Sequence, residues 1–149
     1  MKLTTAILLL SVSALAQLPN HRLTPGAIRT TKASDICAPS FRTAKYRHTT
    51  ASVKKHVCEA YGVKRCPREG EMEIDHLIPL ELGGADVPEN LWVEFAKYAD
   101  GSPGFHVKDV LENELHRRVC RGEMSLPDAQ RCLTRNWVQC SRAIDRNLH

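Results

Sequence analysis

Asp75 and His76 stand side by side at the end of the alternating run Met72-Glu73-Ile74-Asp75. An apolar loop with Pro79 follows, then Gly83-Gly84, then Asn90-Leu91-Trp92. A carboxylate next to an imidazole offers two kinds of chemistry at once. The carboxylate is an oxygen ligand of the sort a hard divalent cation prefers. The imidazole, with an unperturbed pKa of about 6.5, is a base that can take a proton from water near neutral pH.

Successive strand residues point to opposite faces, so the two side chains serve one site only where the strand ends and turns into a loop. Gly83-Gly84 permits positive φ and a tight reversal there. Asn90 arrives on the returning segment. Its amide can accept from one backbone N–H and donate to a carbonyl, holding the loop that carries His76.

The elements that must position these groups are readable from periodicity. Met72 and Ile74 alternate with Glu71, Glu73 and Asp75, which predicts a strand, with Leu91 to Phe95 as its partner. Val53, Val57 and Ala60 recur at helical spacing between Thr50 and Tyr61, and Gly62 suits the helix end. Asp100 to Gly104 reads as a loop. A helix is expected from Val107 to Cys120 with Val107, Val110, Leu111, Leu115 and Val119 as its apolar face. Its polar stripe is Asp109, Glu112, Asn113 and His116, at i, i+3, i+4 and i+7. A last helix starts at Ser125, with Pro127 in the first turn and Asp128 completing a capping-box pattern. Its buried stripe is expected to run from Leu126 through Leu133 and Trp137 to Ile144.

The pattern D-H-x-x-P-x-x-x-G-G followed by N-L resembles the core of HNH endonucleases, the ββα-metal (His-Me finger) nucleases. Asp75-His76, Pro79, Gly83-Gly84 and Asn90-Leu91 carry the match. Lys108-Asp109-x-x-Glu112-Asn113-x-x-His116 is similar to the motif helix of a small secreted group in that class. The resemblance covers Glu73 to Val119. His106 and Lys108 match only loosely the histidine and lysine with which many members open the helix.

The resemblance implies an α+β fold: a small ββα-metal nuclease core with flanking helices, stapled by disulfides. It implies metal-assisted phosphodiester hydrolysis, with His76 as general base, Asp75 as a ligand of Mg²⁺ or Mn²⁺, and Asn90 orienting the His76 loop. The second ligand would be Asn113 or, failing it, Glu112, His116, His106 or Asp109. Lys108, Arg117 and Arg118 would meet phosphates. The substrate would be nucleic acid, DNA ahead of RNA, cut with weak sequence preference. An inactive binding module on the same scaffold is the alternative, and a metallohydrolase acting on another substrate is a third reading.

The rest of the chain sets the setting. Met1-Lys2, an apolar run to Ala14 and the small-x-small Ala14-Leu15-Ala16 read as a secretory signal peptide over residues 1–16. Residues 17–50, without periodicity, read as an extended N-terminal arm tied down by Cys37. Residues 51–149 are the nuclease-like domain. The formal charge of +4 is mildly basic and suits an anionic partner. A secreted or periplasmic monomer, free of the membrane once the leader is removed, is expected.

Six cysteines and no C-x-x-C pair predict three disulfides rather than a zinc cage. Cys58 and Cys66 can close a local loop. Cys132 and Cys140 would lie about 12 Å apart along an unbroken helix, beyond disulfide reach of about 7 Å, so they are expected to have different partners.

Overall fold

The computed structural model describes residues 18–98 and 101–146. The expected leader, residues 1–16, lies outside the described residues, as do Gln17, Asp100 of the expected loop and the last three residues. The architecture is α+β. In chain order the described residues form α1 (Ser34–Cys37), α2 (Ala51–Ala60), β1 (Met72–His76), β2 (Leu91–Phe95), α3 (Phe105–Cys120) and α4 (Leu126–Arg146). Turns of 3-10 helix occur at Thr43–Tyr46, Leu80–Leu82 and Pro88–Asn90.

Local chemistry explains the element ends. The Thr50 hydroxyl accepts from the Val53 N–H at 3.3 Å and caps α2. The Ser125 hydroxyl accepts from the Asp128 N–H at 3.2 Å and donates to the Asp128 carboxylate, so the expected capping box forms at α4. β1 and β2 are antiparallel, with Asp75 opposite Trp92 and His76 opposite Leu91. Met72, Leu91 and Val93 pack with Val57 of α2 into a small core. A larger core forms where Leu111 and Leu115 of α3 meet Leu133 and Trp137 of α4. Ile78 and Leu82, from the loop between the strands, belong to that larger core. The loop after His76 is thus anchored in the main core while its strand belongs to the smaller one.

Two glycines allow this loop. Gly83 has φ +77°, and a Cβ there would lie 2.6 Å from the Thr30 carbonyl oxygen. At Gly84 a Cβ would fall 1.8 Å from the Ile78 carbonyl oxygen, so any side chain would push the two backbones apart.

The N-terminal segment is not extended throughout, since it contains α1 and the Thr43–Tyr46 turn. Its first part straps the same loop. Ile28 bridges Gly84, the Arg29 N–H donates to the Gly83 carbonyl at 2.8 Å, and the Ala85 N–H donates to the Ala27 carbonyl at 2.9 Å. The Gln130 amide of α4 donates to the carbonyls of Thr30 and Leu82, at 2.8 and 2.9 Å, and joins arm, loop and helix.

Two expectations about the helices are corrected. α3 begins at Phe105 rather than Val107, and Val107 and Val110 are 38% and 68% exposed. Its buried stripe is Phe105, Lys108, Leu111, Glu112, Leu115 and Val119. A lysine and a glutamate share it because they neutralise each other there. α4 is not one straight helix. Asn136, with φ −169° and ψ 92°, is extended, and its side chain accepts from the Gln139 N–H at 3.0 Å, as an N-cap does for a new helix start. The kink brings the Cα atoms of Cys132 and Cys140 to 5.6 Å, and the two cysteines pair with each other, contrary to the straight-helix expectation.

Cys58 pairs with Cys66, and Cys37 with Cys120. The last closes a span of 83 residues, which in the chain-entropy picture stabilises the fold by about 4–5 kcal/mol. Three such pairs are compatible with an oxidising, extracellular setting. Among the described residues no helix is long and apolar enough to cross a membrane.

Candidate active site

β1 ends at the edge of an open cavity of about 710 Å³. Asp75 and His76 both line it. Their side chains leave the strand in different directions, as the strand geometry requires. The His76 Nε2 lies 2.8 Å from Asp86 Oδ1, whereas Asp75 accepts from the ammonium of Lys108. Burial lowers the His76 pKa below its usual value; the bond to Asp86 and the charge of Asp75 oppose this, and the charge of Arg47 adds to the lowering.

Asn90 lies behind the loop, fully buried. Its Nδ2 donates to the carbonyls of Ile78 at 2.8 Å and Ala85 at 2.9 Å, and its Oδ1 accepts from the Ile78 N–H at 3.0 Å. One side chain therefore ties both ends of the turn that follows His76.

The lining of the cavity carries both signs of charge. Its acids include Glu73, Asp75, Glu81, Asp109 and Glu112. Burial is the first cause that raises the pKa of Glu73 and Asp109, and the charge of Asp75 adds to it in both. Burial likewise raises Glu81, with the charges of Asp109 and Asp75 adding and those of His116 and Lys108 opposing. Glu112 is pushed up by burial against the pull of Lys108. Glu73, Glu81 and Asp109 are thus crowded against the charge of Asp75. Arg47, Lys54 and Glu69 line the same cavity. Among the described residues neither Arg47 nor Lys54 has an ion-pair partner.

Lys108 does not line the cavity and is fully buried. Its ammonium donates to Asp75, to Glu112 and, at 2.9 Å, to the His76 carbonyl. Glu94 is 3.7 Å away and also fully buried. Burial raises the Glu94 pKa well above its usual value, against the pull of Lys108. For Asp75 the burial effect is outweighed by Lys108, and its pKa falls below the usual value.

The other expected site residues divide. Asn113 and Asp109 of α3 are exposed on the cavity, and the Asn113 amide donates to the Asp109 carbonyl at 2.8 Å. Glu112 reaches the cavity but is already bonded to Lys108. His116 does not line the cavity; its Nε2 donates to the Ile36 carbonyl at 3.3 Å, beside the Cys37–Cys120 bridge. His106 is exposed against the Phe105 ring. The three expected phosphate contacts are displaced. Lys108 is enclosed by carboxylates, and Arg117 and Arg118 both pair with Glu114, away from the cavity.

Asp86, Arg47 and Lys54 are the residues that sequence reasoning missed. Asp86 follows Gly83-Gly84 by two positions, and an acid in a loop pinned by a glycine pair is the only signal it gives. Nothing in the sequence marks Arg47 and Lys54 among the many basic residues around them.

By donor type the lining offers oxygens, which a hard divalent cation prefers. The donors facing the cavity from β1 and α3 are oxygens: the Asp75 oxygen not taken by Lys108, Asp109, Glu112 and the Asn113 amide. Mg²⁺ commonly needs only one or two carboxylates, with waters and substrate phosphate completing its shell. Among the described residues no group of three or more His, Cys, Asp or Glu side chains is placed to hold a metal ion. No family model, curated protein or solved structure matches this chain.

Proposed function

We propose that the protein is a secreted, metal-dependent endonuclease of the ββα-metal (HNH) kind, hydrolysing phosphodiester bonds of nucleic acid, DNA ahead of RNA. One observation carries the reading. Asp75 and His76, adjacent in sequence, open on one cavity whose lining carries both several carboxylates and the cations Arg47 and Lys54.

A phosphodiester suits such a cavity. Its nonbridging oxygens face Arg47 and Lys54, which pair with no carboxylate among the described residues. His76 is neutral near pH 7 because its pKa lies below the usual value. The ring nitrogen not bonded to Asp86 accepts a proton from the attacking water. Asn90 keeps that ring in place through the loop. Asp75 and one group of α3, Asn113 first, would hold Mg²⁺ or Mn²⁺. Such an ion supplies stabilisation of the charge that grows on the phosphate and on the departing oxygen. Contacts confined to phosphates carry little sequence information, hence the weak sequence preference.

The bonds from Lys108 to both Asp75 and Glu112 favour a second reading, a binding module that keeps the scaffold without turnover. Oxidised protein lacking the leader is incubated with plasmid DNA and with RNA, in Mg²⁺, in Mn²⁺ and in EDTA. Cleavage that needs the cation and falls about 10²–10⁴-fold in His76→Ala supports the enzyme. Retarded migration of nucleic acid without cleavage favours the binding module. Cleavage by His76→Ala at the wild-type rate removes His76 from the mechanism.

A further inference from the structure

Asp86 is not part of the motif that resembles HNH nucleases, yet three donors converge on its carboxylate. His76 Nε2 and the Thr49 hydroxyl approach Oδ1, and the His48 N–H approaches Oδ2. The Asp86 side chain is 5% exposed and that of His76 4%. The backbone that carries Asp86 is fixed as well. The Ala85 carbonyl accepts from Asn90, and the Ala85 N–H donates to Ala27. The carboxyl is ionised at any pH near neutral. Burial raises its pKa, but the bonds from Thr49, His48 and His76 outweigh this and bring it to about 2.

An ionised carboxylate can only accept. The His76 nitrogen that faces it must therefore carry the proton. We infer that Asp86 is a positioning residue that fixes neutral His76 in the Nε2–H tautomer and leaves Nδ1 as the only ring nitrogen able to accept a proton. The same carboxylate holds His48 and Thr49, the two residues after Arg47. His76 and the segment that follows Arg47 are thereby tied to one anchor. This deepens the nuclease reading and rests on it for the word base; the tautomer itself does not depend on it.

The test is long-range ¹⁵N–¹H correlation spectroscopy of the ¹⁵N-labelled, oxidised protein, with His76 assigned by comparison with His76→Ala. The expected pattern at a pH where the ring is neutral is a protonated Nε2 and a bare Nδ1. In Asp86→Asn one of the two carboxylate oxygens becomes a donor. The pattern should shift toward Nδ1–H, and turnover should fall about 10²–10⁴-fold. Wild-type His76 protonated on Nδ1 would overturn the inference. So would Asp86→Asn protein that keeps both the Nε2–H pattern and wild-type turnover. Should Asp86→Asn not fold, the wild-type spectrum decides alone. A protein that shows the Nε2–H pattern but cleaves no nucleic acid supports the role of Asp86 and refutes the enzyme.

Discussion

Asn90→Ala is expected to destabilise the protein by about 3–5 kcal/mol. Asn90 makes three bonds of normal length, two donated to the carbonyls of Ile78 and Ala85 and one accepted from the Ile78 N–H. Each buried bond contributes about 1 kcal/mol net, and each partner left unsatisfied in the interior costs about 1–3 kcal/mol. Ile78 is 1% exposed, so water cannot readily replace the lost amide there. Alanine also leaves a void beside Gly84, whose missing Cβ is what lets Asn90 approach. Asn90→Asp retains the acceptor but turns an oxygen toward two carbonyls, and should be at least as harmful as alanine. Trp92 and Trp137 are both buried, so their fluorescence reports urea unfolding of the oxidised protein. Hydrogen exchange at the Ile78 amide gives a local reading, and it should lose protection in both variants. A loss of stability under about 1 kcal/mol in both variants, with the Ile78 amide still protected, would refute the bracing role.

Arg47→Ala and Lys54→Ala should each reduce the salt dependence of DNA binding by about one unit of log–log slope, whereas Arg117→Ala and Arg118→Ala should not; filter binding between low and moderate salt decides it. Peptide mapping without reduction should recover Cys37–Cys120, Cys58–Cys66 and Cys132–Cys140, and a Cys132 peptide joined to another cysteine would mean that α4 is straight at Asn136. Asp86 also predicts an acid-sensitive component of stability. Its folded pKa is depressed to about 2 from an unfolded value of about 3.9, so its contribution is complete above pH 4 and disappears as pH falls toward 2. The size is about 2–3 kcal/mol. Urea unfolding at pH 5 and at pH 2.5 should show wild type losing more than Asp86→Asn, and equal losses would contradict it.

What the sequence disclosed followed from local rules, and what it concealed depended on distant partners. Thr50 and Ser125 announced helix starts because a cap is decided within three residues. Gly83-Gly84 and Asn90 announced a braced turn because few other residue types tolerate those positions. Lys108 misled, because a helical wheel gives a lysine to solvent by default. Its burial depends on Asp75 from β1 and Glu94 from β2, more than ten residues away in the chain. Asp86 went unassigned for the same reason, since its three donors come from β1 and from the segment before α2. The kink at Asn136 was legible after all. Asn136-Trp137-Val138-Gln139 has the shape of a second helix start, but the apolar stripe running through it concealed the break.

The bridge between Cys37 and Cys120 has a topological consequence. Every group assigned to the chemistry, from Arg47 to Asn113, lies inside the single covalent ring that it closes. A protease that cuts one peptide bond within that ring, for example in the exposed turn at Gly101, opens the ring without releasing a fragment. The two halves stay attached through sulfur. A nicked molecule runs at full mass until a reductant is added, and its two parts remain at high effective concentration for re-docking.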